Sequence, residues 1–167
     1  MPRRPDPKTL ARHIELLLLD VDGVLTDGGL YYFSDDGFAV RFDIRDGLGL
    51  ARAREDGLLV GLVSGRETPQ VRRRARELGI NEVHLGIENK AAVLGEMVAR
   101  RGIALSKVCF VGDDLIDLPA MELVGLPVAV ADAAAEVRAA ALYVTQHRGG
   151  RGAVREIVDL ILDARRT

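Results

Sequence analysis

Ile14-Glu15-Leu16-Leu17-Leu18-Leu19-Asp20-Val21-Asp22-Gly23-Val24-Leu25-Thr26-Asp27-Gly28 decides how the rest of the chain is read. Residues 14–19 form a nearly continuous apolar run, the pattern of a strand buried on both faces of a parallel sheet. The run stops at two carboxylates two residues apart, and a glycine follows. Residues i and i+2 of a strand share a face, so Asp20 and Asp22 converge on one point at the strand's end. Unpaired carboxylates that close repel each other, and a cation or a shared proton must sit between them. Mg²⁺ takes oxygen ligands, and a carboxylate beside it is a competent nucleophile.

Outward from this stretch, strand and helix patterns alternate. Strands are expected over 58–63, 83–85, 108–111, 128–130 and 142–144. Helices are expected over 48–55, 67–78, 90–101, 115–124, 133–141 and 153–165. Gly57, Gly79, Gly102 and Gly125 stand just past four of these helices, where glycine commonly ends one. Residues 30–33 and 38–42 flank Ser34-Asp35-Asp36-Gly37, which reads as a β-hairpin. The alternation predicts an α/β fold, a Rossmann-like three-layer αβα parallel sheet with the hairpin (about 28–43) inserted after the first strand. One domain is expected over 13–167, ending in a tail and helix (about 145–167). Residues 1–12, polar and proline-rich, are expected to be flexible or a loose helix.

The bulk composition excludes several classes of function. The 167 residues suit a single domain, and a formal charge of −2 offers no polyelectrolyte surface. Arg72, Arg73, Arg74 and Arg76 lie on one helix without interleaved aromatics, so a solvated face is expected and not a nucleic-acid site. No apolar run is long enough to span a membrane, and no signal-peptide core precedes Ile14. The one cysteine, Cys109, lies in an apolar strand, so no disulfide framework forms and a cytoplasmic location is expected. His13, His84 and His147 share no spacing that would hold zinc.

Polar groups follow four of the apolar strands. Asp20 and Asp22 follow the first, Ser64-Gly65-Arg66 the run 58–63, Lys90 the run 83–85, and Gly112-Asp113-Asp114-Leu115-Ile116-Asp117 the run 108–111. In open α/β sheets ligands bind beyond the carboxyl ends of the strands, so these groups should meet. Together they suit phosphoryl transfer. Mg²⁺ on Asp20 and Asp113 would cancel the repulsion between nucleophile and phosphate. Ser64 and Lys90 would hold phosphoryl oxygens, and Asp22 would act as acid and base. Asp114 and Asp117, at a helix start, are candidates for the metal or for Lys90. A receiver-type phospho-acceptor domain uses similar parts, but its accepting aspartate follows the third strand and has no adjacent acid.

The ordered set Asp20-Val-Asp22-Gly, Ser64, Lys90 and Gly112-Asp113-Asp114-Leu-Ile-Asp117 resembles the haloacid dehalogenase superfamily of phosphatases. The resemblance implies that Asp20 forms an aspartyl-phosphate, that Asp22 is the acid/base, and that Asp20, the Asp22 carbonyl and Asp113 hold Mg²⁺. Over nearly the whole chain, Asp20–Gly28, the hairpin, Arg45-Asp46-Gly47, Gly112–Pro119, residues 128–133 and Gly149-Gly150-Arg151-Gly152-Ala153-Val154-Arg155-Glu156 resemble the 3-deoxy-D-manno-octulosonate 8-phosphate phosphatase family. That family lacks a cap domain, serves lipopolysaccharide precursor synthesis and forms homotetramers through its hairpins; a subunit's C-terminal tail can close over a neighbour's site. Relatives act on nonulosonate 9-phosphates. The resemblance brings Arg45, Asp46, Gly47, Ser64, Gly65, Arg66, Arg74 and Lys90 toward substrate. The chain departs from the pattern at Asp43, where Asn is expected, and at Ala51, where Arg is expected, with Arg52 placed to replace that charge. Gly149 to Gly152 read as an ordinary mobile loop or, with Arg148 and Arg151 adjacent, as an anion-binding lid.

Overall fold

The structure, a computed structural model, describes residues 5–166. Six parallel strands form the central sheet: β1 (Leu16–Leu19), β4 (Leu59–Ser64), β5 (Glu82–Leu85), β6 (Val108–Gly112), β7 (Leu126–Ala129) and β8 (Tyr143–Val144). A separate antiparallel pair, β2 (Tyr31–Tyr32) and β3 (Phe38–Ala39), makes the hairpin. The order in the large sheet is β5-β4-β1-β6-β7-β8. The chain runs outward from β1 to β5, then returns to the other side of β1 with β6. The order therefore reverses at β1 and β6, and the crevice at such a switch point takes ligands.

Helices cover both faces. α2 (Ile44–Glu55) and α1 (Pro7–Ala11) pack on α7 (Ala153–Arg166), while α4 (Lys90–Arg101) packs on α5 (Leu118–Met121), and α5 on α6 (Ala135–Ala140). α3 (Pro69–Glu77) joins β4 to β5. Every residue of β1 and β6 is buried, which is what apolar runs without alternation require. Cys109 is a buried core residue, and burial pushes its thiol up.

Elements differ from expectation where side chains override periodicity. α2 begins four residues early because the Asp43 carboxylate accepts the Arg45 N–H and caps it. The helix expected over 115–124 is a tight 3₁₀ turn, Leu115–Asp117, followed by the single turn of α5; a capping box between Asp114 and Asp117 shapes it. β7 contains Pro127, an unusual residue for an inner strand, so the sequence pattern placed that strand late. The hairpin pairs only two residues per strand, less than expected, around a turn in which Asp36 has φ +61°. At the N-terminus, residues 1–4 lie outside those described, and Pro7–Ala11 is a short helix with Ala11 fully buried. Among the described residues no helix is long and apolar enough to cross a membrane.

Candidate active site

β1 pairs with β6 so that Leu19 stands beside Val111, and with β4 so that Leu19 stands beside Leu62. Asp20, Asp113 and Ser64 therefore leave the sheet at nearly the same level on three adjacent strands. After Asp20 the chain makes one wide turn, Val21–Leu25, closed by the Thr26 N–H on the Val21 carbonyl at 3.0 Å. Gly23 lies in it at φ +87°, and a Cβ there would stand 1.9 Å from Asp113 Oδ2. The glycine is needed both for its backbone angle and for the approach of Asp113. Thr26 Oγ1 steadies the turn by accepting the Gly23 and Gly28 N–H groups.

At the centre lies a buried lysine between buried carboxylates. Lys90, first residue of α4, donates through Nζ to Asp20 Oδ1 and Asp117 Oδ1, each at 2.6 Å. Asp117 Oδ2 accepts the N–H groups of Asp113 and Asp114 at 2.9 and 3.3 Å. Both Asp117 oxygens are thus committed, and its task is to hold Lys90 and the turn after β6. Asp114 faces outward and caps Leu115. Asp20, Asp113 and Asp117 each offer an oxygen within 4.8 Å of the others. Burial, then the neighbouring Asp117 charge, raise the Asp20 pKa to about 6 against the pull of Lys90. Burial, then Asp20, raise Asp113 to about 8. Lys90 is raised despite its burial, because Asp20 and Asp117 flank it. Two carboxylates so destabilised in their charged forms, offering only oxygens, fit Mg²⁺.

Ser64 is buried, and its hydroxyl oxygen accepts the Arg66 N–H at 3.2 Å, leaving the hydroxyl proton to donate. Gly65 follows it, exposed, beside Ile116. Asp22 is more open than Asp20, with Arg66 Nη1 at 3.5 Å. Arg66 also lies over the Phe38 ring, 5.8 Å from its centroid, which ties the hairpin to Asp22.

Other expected site residues have protein partners of their own. Arg45 chelates Asp43 and reaches the Arg151 carbonyl. Asp46, fully buried, accepts the N–H groups of Gly152 and Arg155 and caps α7. Gly47 makes room for Arg74, whose guanidinium would stand 2.4 Å from a Cβ there and lies over Phe42. Arg52, expected to stand in for an Arg at position 51, is bound to Asp159 at 2.8 Å. The basic run on α3 is answered by carboxylates: Arg72 by Glu67, Arg73 and Arg74 by Glu77.

The segment 149–152 packs directly against the catalytic turn, which the loop and lid readings did not anticipate. Gly149 lies against Gly23, with a would-be Cβ 1.6 Å from the Gly23 carbonyl oxygen, and its N–H donates to Asp132 at 3.0 Å. Gly150 donates to the Val24 carbonyl at 2.8 Å, and Arg151 pairs with Asp27 at 3.1 Å. Arg148 lines a cavity of about 280 Å³ with Asp27, Tyr31 and Asp132. Adjacent glycines, expected only as a loop or lid, signalled this close backbone approach.

Comparison with known proteins extends these observations. The sequence profile of haloacid dehalogenase-like hydrolases matches residues 86–157. The chain is 45% identical over 162 residues to 3-deoxy-D-manno-octulosonate 8-phosphate phosphatase of Salmonella typhimurium, covering 96% of this chain and 86% of that protein. It superposes on the Moraxella catarrhalis phosphatase of the same name, solved with magnesium ion, phosphate ion and KDO, with TM-score 0.93 and 38% identity; 96% of this chain and 92% of that one are covered. For the Yersinia pestis phosphatase the TM-score is 0.94 at 40% identity, covering 96% and 88%.

Proposed function

The chain belongs to the haloacid dehalogenase-like hydrolases, within the 3-deoxy-D-manno-octulosonate 8-phosphate phosphatase family, and from that premise we propose that it hydrolyses this sugar phosphate with Mg²⁺. The observation that carries the reading is the buried cluster of Asp20, Asp113, Asp117 and Lys90 at the sheet's switch point, with Asp22 open beside it.

Asp20 attacks phosphorus, forming an aspartyl-phosphate as the bond to the sugar oxygen breaks. Asp22 protonates that oxygen, then takes a proton from the water that opens the aspartyl-phosphate. Lys90 offsets the charge of Asp20 and faces phosphoryl oxygens together with Ser64 and the N–H groups of Gly65 and Arg66. Mg²⁺, which Asp20, Asp113 and the Asp22 carbonyl would hold, supplies positive charge that lets a carboxylate and a phosphate dianion meet. Arg66, beside Asp22, is placed to meet the sugar. Arg45, Asp46, Gly47 and Arg74 shape the frame around the site.

The hairpin supports a homotetramer: Tyr31, Tyr32 and Phe33 are exposed, with Ile44 and Leu48 of α2 also bare. The place of work is the cytoplasm, in lipopolysaccharide precursor synthesis.

A screen of phosphate esters with Mg²⁺ tests the assignment, with octulosonate 8-phosphate expected to show the highest kcat/KM. A nonulosonate 9-phosphate in first place would move the chain to that substrate; a hexose phosphate in first place would refute the acidic-sugar reading. Asp20→Asn should abolish turnover of every ester.

A further inference from the structure

We propose that Asp43 is a positioning residue for the catalytic turn, acting through Arg41 and Arg45 on the segment 149–152. The inference rests on the phosphatase reading and adds to it a residue that touches neither metal nor substrate.

Asp43 is 5% exposed and caps α2 through Oδ1, which accepts the Arg45 N–H at 2.8 Å. The cap uses one oxygen, and the remaining capacity goes to two guanidinium groups. Arg45 donates to Oδ1 at 3.1 Å and to Oδ2 at 3.0 Å, and Arg41 to Oδ2 at 3.3 Å. Both arginines then reach across to one loop. Arg41 Nη1 donates to the Gly150 carbonyl at 2.5 Å, and Arg45 Nη2 to the Arg151 carbonyl at 3.2 Å. The arginines hold that loop from one side, and the catalytic turn stands against it on the other.

Gly149 rests on the Gly23 carbonyl, and Gly150 is hydrogen-bonded to Val24, with a would-be Cβ 2.2 Å from the Asp27 nitrogen. Gly23 in turn touches Asp113. Each step from Asp43 to Asp113 is a hydrogen bond or a contact too tight to admit a methyl group. Close-packed paths transmit displacement instead of absorbing it. The hydrogen bonds from Arg45 hold the Asp43 carboxyl well below the usual carboxylate range, so the clamp stays charged at neutral pH.

Asp43→Asn keeps an oxygen for the cap and removes the charge. Arg41→Met removes the Gly150 contact at a half-exposed position, outside the core. Titration calorimetry with Mg²⁺ alone, and kcat and KM with octulosonate 8-phosphate, read the effect. Both variants should bind Mg²⁺ about 10-fold more weakly and lose about 10-fold in kcat, with KM changed less than about 2-fold. Combined, the two substitutions should be no worse than the poorer single one, because both act through one loop. Arg41→Lys, which keeps a donor, should recover most of the loss. Unchanged Mg²⁺ affinity in the folded variants would overturn the proposal, and so would fully additive losses. Because Mg²⁺ binding is read without substrate, a wrong substrate leaves this arm intact.

Discussion

Replacing Lys90 by methionine isolates the energetic centre of the site. The lysine side chain is 1% exposed, and its ammonium lies 2.6 Å from the carboxylates of Asp20 and Asp117, themselves 6% and 0% exposed. Methionine fills most of the same volume, so little of the effect comes from a cavity. It leaves two buried carboxylates facing each other without a cation, and breaking a buried ion pair from one side costs about 3–5 kcal/mol. For a domain of this size each kcal/mol moves Tm by about 2–4 °C, so Tm should fall by roughly 6–20 °C.

The sign of the pH dependence follows from the shifts. The Lys90 pKa is raised above its ordinary 10.5, so its contribution is complete below that value and is lost only when pH rises through the folded-state pKa. At pH 8 the full loss should therefore appear in the variant. The Asp20 pKa already stands at about 6 with the lysine present, and without it must rise further. A raised carboxyl favours the folded state as pH falls, so the deficit should shrink by pH 5.5. Differential scanning calorimetry in EDTA at the two pH values checks both statements. A Tm within about 1 °C of wild type at pH 8, or an equal deficit at both, would refute the reasoning.

Three further outcomes are expected. Mg²⁺ binding should release protons between pH 6 and 8, because Asp20 and Asp113 carry raised pKa values of about 6 and 8 and must be deprotonated to bind metal. Affinity should tighten with pH and level off above about 8; calorimetry in buffers of different ionisation enthalpy reads the release, and none at pH 7 would contradict the cluster's electrostatics. Gly23→Ala forces a Cβ into Asp113 at positive φ, and should cost about 1–3 kcal/mol in chemical denaturation and weaken Mg²⁺ binding. Tyr32→Glu with Ile44→Glu, at positions 75% and 84% exposed, should convert the proposed tetramer to smaller species in analytical ultracentrifugation, and an unchanged mass would remove the hairpin from the interface.

Residues 14–28 and the polar groups after the later strands were enough to reach the sheet, the switch point and the chemistry of the cluster. The reason is local: an unalternating apolar run demands burial on both faces, and a carboxylate at its end has one place to go. Lys90 was legible from its position at a helix start, as was Ser64 at the end of its strand. What the pattern could not assign was the partner of each charged group. Asp114 and Asp117 are neighbours in sequence, yet one is an exposed cap and the other anchors Lys90. The motif that holds Arg45 and Asp46 did not tell that one chelates Asp43 and the other caps a helix that begins more than 100 residues later. Gly149 has the sequence of a loop residue, yet its backbone lies against Gly23. Burial and turn chemistry are properties of short segments and can be read along the chain. Which donor meets which acceptor depends on how distant segments pack, and only the folded molecule decides it.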